Sequence, residues 1–273
     1  MSIQPPWRGV ATTYAVVSVA LIVWTWRGFD LTATAIMVAT LAMFASCFWS
    51  ASLLFGQRAA WRFAALAVPI GWFAEQMGSS HGWFFGSYTY TTVLGPAVGN
   101  VPIVIPLMWF ALCFMGLVLA NLALWRQPVD TSPAWGRMLF GVVVAAMFVT
   151  AFDLGADPYF VFVLKAWIMD KKDGGWFGET LQGFVGWMFI GSVILILFRV
   201  LSRPLAAPPV NRDTIWAARV PLLLYASAVV FQVCLGHPIE IRTITIFAMG
   251  LPLLIAANAY RQWARAAELE DIQ

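Results

Sequence analysis

The chain has 273 residues, of which 61% are hydrophobic and only 11% are charged. Soluble domains carry about 25% charged residues, so this composition excludes an ordinary soluble domain and indicates an integral membrane protein. The net charge of +3 does not indicate a nucleic-acid partner, because the arginines are spread along the chain at positions where they orient membrane helices.

Eight segments are long and apolar enough to cross a membrane as helices, which takes roughly 20 residues each. The predicted fold class is therefore all-α, a polytopic membrane helix bundle in which residues 1–273 form a single domain. In chain order the predicted spans are 10–26, 31–55, 60–77, 101–125, 134–153, 180–201, 216–235 and 241–260.

The basic residues predict the orientation of the bundle. With an even number of spans, 11 of the 16 lysines and arginines fall on the face that holds both termini. Cytoplasmic loops carry an excess of basic residues, so both termini are expected in the cytoplasm and the first span is expected to stay as an uncleaved anchor. The loops 78–100 and 154–179 then lie on the opposite side of the membrane.

The three cysteines lie inside predicted spans, without paired spacing or neighbouring histidines. We expect Cys47, Cys113 and Cys234 to be small buried hydrophobic residues rather than disulfide partners or metal ligands.

Two acids stand at the ends of apolar segments. Glu75 ends the third predicted span and Asp153 ends the fifth. Ionisable groups are costly at the edge of a hydrocarbon core, so such carboxyl groups indicate a functional site. For Glu75, an ion pair with an arginine of another helix is the structural alternative.

The sequence around each acid has a common order. An acid is followed by a Gly-Trp-Phe turn and then by a helix that contains a tryptophan. Such an echo arises either from a duplication, which in membrane bundles often builds a site at the repeat interface, or by chance in a chain with 21 glycines and 15 tryptophans. The first set is Glu75, 82–84 and Trp109, and the second is Asp153, 175–177 and Trp187.

The loops after the two acids are rich in glycine and aromatic residues. Glycines allow tight turns that fold aromatic faces inward, towards a site. Tryptophan and tyrosine also favour the headgroup level of a membrane, so the same residues are equally compatible with an interfacial belt.

Three segments resemble a known family. The run GWFFGSYTYTTVLGPAVGNVPIVIPLMWF, the segment AFDLGADP and the later GGWFGETLQGFVGW are similar to the integral-membrane carotenoid biosynthesis family that includes the carotenoid 1,2-hydratase acting on bisanhydrobacterioruberin. The resemblance covers about residues 60–190. It implies an enzyme that adds water to the terminal C1–C2 double bond of an acyclic carotenoid and that needs no cofactor. The resemblance also implies a location in a microbial cytoplasmic membrane, beside other carotenoid biosynthesis enzymes.

The implied reaction needs three kinds of group. A neutral carboxylic acid protonates the alkene, and burial in apolar surroundings keeps such a group protonated; Glu75 and Asp153 are the candidates. The second carboxyl, His81 or Asp157 then holds the water that captures the tertiary cation. Aromatic faces stabilise this cation and bind the apolar chain, which enters from the lipid. The predicted substrate-binding residues are Trp83, Phe84, Tyr88, Tyr90, Trp109, Trp176, Phe177 and Trp187.

Structural roles compete with these assignments. Asp157 precedes Pro158 and is equally suited to cap a helix over 158–169. Glu179 is favoured as a cap of the sixth span rather than as a catalytic group. For His81, the structural alternative to a role in binding water is that it is a solvated loop residue.

Three other functions share parts of the pattern. The spacing of Asp153 and Asp157 also occurs in membrane prenyltransferases that hold magnesium, although Pro158 disfavours a continuous helix there. A lycopene-cyclase-like enzyme or an isomerase would use the same protonation step without adding water. A noncatalytic carotenoid or lipid transporter would use the aromatic loops as a binding surface and the acids for proton coupling.

Overall fold

The computed structural model of the protein describes residues 32–171 and 174–270. Long helices connected by short loops make up most of this part of the chain. The helices are α1 (Thr32–Leu54), α2 (Gln57–His81), α3 (Val104–Trp125), α4 (Trp135–Pro158), α5 (Leu181–Leu201), α6 (Arg212–Leu235), α7 (Glu240–Thr245) and α8 (Leu251–Glu270). Two π-helical segments, Tyr159–Val163 and Ile246–Gly250, extend α4 and join α7 to α8.

The predicted membrane bundle is confirmed in class. Within the described residues, six helices are long and apolar enough to span a membrane, with α7, the π-helical segment and α8 counted as one. The 25-residue helix α2 is also long enough, but polar residues occupy both of its ends. The predicted span 10–26 lies outside the described residues.

Helix α3 forms the centre of the bundle. It is buried along most of its length and packs against α1, α2, α4, α6 and α8. The outer helices instead expose apolar side chains, such as Leu139, Val143 and Met147 at four-residue spacing on α4. A stripe of exposed aliphatic side chains at helical spacing suits contact with lipid.

Two ends of the bundle differ in composition. At one end, Arg62 of α2 donates to the carbonyl of Leu201, and the buried Arg199 of α5 pairs with Asp130 at 3.2 Å. At the other end, the loops after α2 and α4 meet in a small antiparallel sheet of β1 (Tyr88–Tyr90) and β4 (Trp167–Met169). A second short pair, β2 (Ala97–Val98) with β3 (Val101–Pro102), leads into α3.

Prolines inside the helices leave backbone carbonyls without their usual partner, and side chains of neighbouring elements satisfy them. Pro158 cannot donate to the carbonyl of Leu154, which instead accepts a hydrogen bond of 3.0 Å from the Trp176 indole. Pro221 likewise has no N–H to donate to the carbonyl of Ala217. This carbonyl instead accepts a hydrogen bond of 2.7 Å from the Ser50 hydroxyl. Such replacement is what allows proline within a helix in an apolar environment.

Helix α4 corrects the prediction that a helix ends at Asp153 and a new one starts at Pro158. The helix continues to Pro158 and passes into the π-helical segment. Asp157 therefore lies inside a helix and is not an N-cap. The prediction was wrong because it did not include the Trp176 indole, which comes from a distant loop and compensates for the proline.

The prediction for the cysteines holds for Cys47 and Cys113, which are buried, but is wrong for Cys234, which is exposed. Cys234 lies near the end of α6, an outer helix, on a face that no described helix covers.

Candidate active site

A cavity of about 60 Å³ lies at the end of the bundle where the two aromatic loops meet. Helices α2 and α4, the sheet of β1 and β4, and the start of α5 enclose it. Its size suits a few water molecules or a small end group rather than a whole polyene. Four carboxyl groups line it, those of Glu75, Asp153, Asp157 and Glu179, and among the described residues no lysine, arginine or histidine does so.

Glu75 is held by three hydrogen bonds. Its Oε2 accepts from the hydroxyl of Tyr88 and, at 2.7 Å, from the hydroxyl of Tyr90, while its Oε1 accepts from the Trp109 indole at 3.0 Å. Donors of this kind stabilise a carboxylate, and none of them is an arginine, so the structural alternative of an interhelical ion pair is not what holds Glu75. The arrangement fixes Glu75 as an acceptor with little freedom to move.

The small sheet explains why both tyrosines reach the same carboxyl. Residues at i and i+2 of a strand point to the same face, so Tyr88 and Tyr90 of β1 project together while Thr89 faces outward. Pairing with β4 places Tyr88 opposite Met169 and Tyr90 opposite Trp167. Burial, together with the charge of Glu75, raises the pKa of both tyrosines well above the ordinary value, so both hydroxyls remain donors.

Asp153 and Asp157 enter the cavity from α4. They are one helical turn apart, which places them on the same face of the helix. Asp153 is buried and accepts no hydrogen bond from the described residues. It is close enough to Asp157 and Glu75 for their charges to interact. No described donor therefore fixes the Asp153 carboxyl, which lines the cavity.

Glu179 reaches the cavity from the loop before α5. Two short backbone bridges, Gly174 with Gly178 and Trp176 with Glu179, fold this loop tightly. The indole of Trp176 anchors it to α4 through the carbonyl of Leu154. Burial and the neighbouring carboxyl of Asp157 raise the pKa of Glu179 well above its ordinary value. The predicted cap is wrong, because Thr180 occupies the N-cap position of α5 and its side chain makes no capping bond.

Aromatic rings form much of the wall around these acids. Trp109 and Trp187, the two tryptophans of the sequence echo, stack at 4.4 Å between ring centroids. Phe160 and Trp167 stack at 5.4 Å. Rings around a site with several carboxyls can stabilise a cation through their faces while the acids supply negative charge.

Some predicted site residues lie outside this cavity. His81, the last residue of α2, and Trp83, in the loop after it, are exposed, and their rings are 5.8 Å apart. Phe84 stacks on Phe189 of α5, and the Trp176 ring packs on that of Phe177. Phe84 and Phe177 share a left-handed backbone, with φ of 59° and 52°, so the two Gly-Trp-Phe turns match locally although neither places its Trp-Phe pair against the acids.

The sequence prediction named seven residues that the structure places together along the cavity: Glu75, Asp153, Asp157, Tyr88, Tyr90, Trp109 and Trp187. It missed the aromatic residues that come from the second loop and from the π-helical segment. Besides Phe160 and Trp167, the lining residues missed are Phe85, Leu94, Ile105, Met108, Phe152, Ala156, Met169, Thr180, Gly183 and, as a cavity residue, Glu179.

A family described as carotenoid biosynthesis protein matches residues 29–256, which is most of the chain. The chain belongs to the carotenoid biosynthesis protein family. All four carboxyls of the cavity fall within the matched residues, so the site is part of the region that defines family membership.

Within curated proteins, this family member is similar to bisanhydrobacterioruberin hydratase of Haloarcula japonica. The two are 31% identical over 125 residues, which is 45% of this chain and 39% of the hydratase. The match thus spans well under half the length of that relative. No solved structure matches the chain significantly.

Proposed function

We propose that this carotenoid biosynthesis protein adds water to the terminal C1–C2 double bond of an acyclic carotenoid end group. The observation that carries the proposal is the unbonded Asp153 carboxyl, buried in an aromatic cavity beside a second, firmly held carboxyl. The distant relative is named as a hydratase of bisanhydrobacterioruberin, and this name supports the same reaction class here.

Asp153 is the proposed general acid. A neutral carboxyl that accepts no hydrogen bond and lines the cavity can approach an alkene there and deliver its proton to C2. The tertiary cation then forms at C1, between the aromatic walls. Absence of any basic side chain along the cavity, within the described residues, leaves the cation without a repelling charge.

Glu75 is the proposed fixed counter-charge. Its three donors hold the carboxylate in place, so it stabilises the cation by charge and does not collapse onto it to form an ester. This division of roles follows from the different hydrogen bonding of the two acids.

The direct test is conversion of an acyclic carotenoid by the purified protein in liposomes, with Asp153→Asn as the variant. Removing a general acid costs about 10²–10⁴-fold in rate, so we expect a loss of that size and a product heavier by one water in the wild type. Asp170→Asn, at an exposed loop position, is the matched control and should keep full activity.

Other outcomes of this assay identify the competing functions. A product of unchanged mass indicates cyclisation or isomerisation, and a carotenoid that is moved but never converted indicates transport. Full activity of the Asp153→Asn protein would show that Asp153 is not the general acid.

A further inference from the structure

Hydration needs a water molecule placed next to the cation, and the roles proposed for Asp153 and Glu75 do not include binding it. Two buried polar atoms at the start of α5 find no hydrogen-bond partner among the residues that the structure describes: Oε1 of Glu179 and Oγ1 of Thr180. Both residues line the cavity, and Glu179 is only 2% exposed. Leaving a buried polar atom unpaired costs about 1–3 kcal/mol, so such atoms normally bind water.

We infer that Glu179 and Thr180 bind the water that attacks the cation, and that Asp157 accepts its proton together with Glu179. This inference rests on the proposed function. It adds to that function a specific pair of residues that binds the attacking water. Two residues adjacent in the chain thus offer an acceptor and a hydroxyl to one molecule, on the side of the cavity formed by the second aromatic loop.

The loop geometry favours a fixed water site. The backbone bridges of residues 174–179 and the anchor from Trp176 to Leu154 hold Glu179 at α4, the helix that carries Asp153 and Asp157. Asp157 is near enough to Glu179 for a hydrogen bond, which two carboxyls can form only when they share a proton. A pair that shares one proton can accept a second one.

The proton balance closes within the cavity. The O–H proton of Asp153 moves to C2, the C1–C2 double bond breaks, and the positive charge appears at C1. The water held at Glu179 and Thr180 forms the C1–O bond and releases one proton to the carboxyl pair. Asp157, one helical turn from Asp153, returns that proton to the Asp153 carboxylate. The sum is alkene plus water giving a tertiary alcohol, with no other reactant.

The experiment separates protonation from water capture. Wild type, Glu179→Gln and Thr180→Val are assayed in D₂O with an acyclic carotenoid, and both the alcohol and the deuterium content of the unhydrated carotenoid are measured by mass. A cation that is not captured loses a proton from C2 or from a neighbouring methyl group, so unhydrated carotenoid should gain deuterium. We expect the two variants to form alcohol at least about tenfold more slowly while deuterium in the unhydrated carotenoid rises.

Several results would overturn the inference. Alcohol formation at the wild-type rate in both variants would show that neither group holds the water. Loss of both alcohol and deuterium incorporation, in variants that keep the wild-type melting temperature, would place Glu179 in the protonation step instead. Glu240→Gln, an exposed glutamate at the start of α7, is the control and should behave as wild type.

The proposed function fails in a different way from this inference. A wild-type protein that adds no water to any acyclic carotenoid would overturn the function and the water site together. A wild-type protein that hydrates, with unaltered Glu179→Gln and Thr180→Val variants, would overturn the water site alone.

Discussion

At the scale of single residues, the acids of the cavity differ in the hydrogen bonds that they accept. Glu75 accepts three hydrogen bonds, whereas Asp153 accepts none from the described residues. Four carboxyls in one small space without a cation cannot all be charged at low cost, so the hydrogen bonds decide which of them carries the charge. Glu75 is the carboxyl best able to do so.

The tyrosine hydroxyls provide a test of this assignment. We expect Tyr88→Phe and Tyr90→Phe each to lower kcat for water addition by about tenfold, because a hydrogen bond to a charged group contributes roughly 1.5–3 kcal/mol. The double variant should lose more than either single one. Steady-state kinetics in liposomes, with melting temperatures measured alongside, checks the expectation.

Tyr159→Phe is the control for these variants. The ring of Tyr159 packs against Phe231 and Phe160 and does not line the cavity, so its hydroxyl should not matter. Unchanged kcat in the Tyr88→Phe and Tyr90→Phe double variant would show that a fixed Glu75 is unnecessary for the reaction.

At the scale of elements, the site depends on two close approaches. The antiparallel pairing of β1 with β4 joins the loops that follow the two acids. Helices α2 and α3 cross closely at Gly71, where an added Cβ would lie 2.7 Å from the Trp109 ring. Trp109 in turn donates to Glu75 and stacks on Trp187. A small residue in α2 thus sets the position of a ring in the site.

Gly71→Ala should therefore lower both stability and activity. The methyl group would push the Trp109 indole away from Glu75, and overpacking of this kind costs about 1–3 kcal/mol, which exceeds the gain in helix propensity of about 1 kcal/mol. We expect a lower melting temperature in detergent and a reduced kcat.

Gly136→Ala is the matched substitution, because Gly136 lies in the first turn of α4 with nothing within 4 Å of an added Cβ. It should leave activity unchanged and keep or raise the melting temperature. Equal melting temperatures and rates for Gly71→Ala and wild type would contradict the tight crossing.

At the scale of the whole molecule, the chain order places the cavity and the arginine-rich end on opposite sides. Arg58 and Arg62 lie at the start of α2, whereas Glu75 lies near its other end. The positive-inside tendency then predicts that the arginine-rich end is cytoplasmic and that the cavity opens near the outer surface. This orientation remains a prediction.

Cysteine labelling tests the orientation. In a Cys234→Ser background, single cysteines at Lys171 and at Arg58, both exposed, report on the two ends, while Cys47 and Cys113 are buried. We expect a membrane-impermeant maleimide to label position 171 in intact cells and position 58 only after permeabilisation. The reverse pattern would mean that the cavity faces the cytoplasm.

The sequence by itself determined the membrane class, the approximate helices and the presence of Glu75 and Asp153 at the ends of apolar runs. These follow from local properties: the length of an apolar run, and the cost of placing a carboxyl within it. The predicted spans 31–55, 101–125 and 180–201 differ from the observed helices by three residues or fewer at each end.

Only the tertiary structure decided which aromatic residues line the site and that Glu179 joins it. Tyr88 and Trp176 occur in similar loops, yet one donates to Glu75 and the other replaces the amide that Pro158 lacks. That difference depends on the pairing of β1 with β4 and on a carbonyl exposed by a distant proline. Contacts between segments far apart in the chain leave no periodic pattern in the sequence, which is why local reasoning assigned both residues the same role.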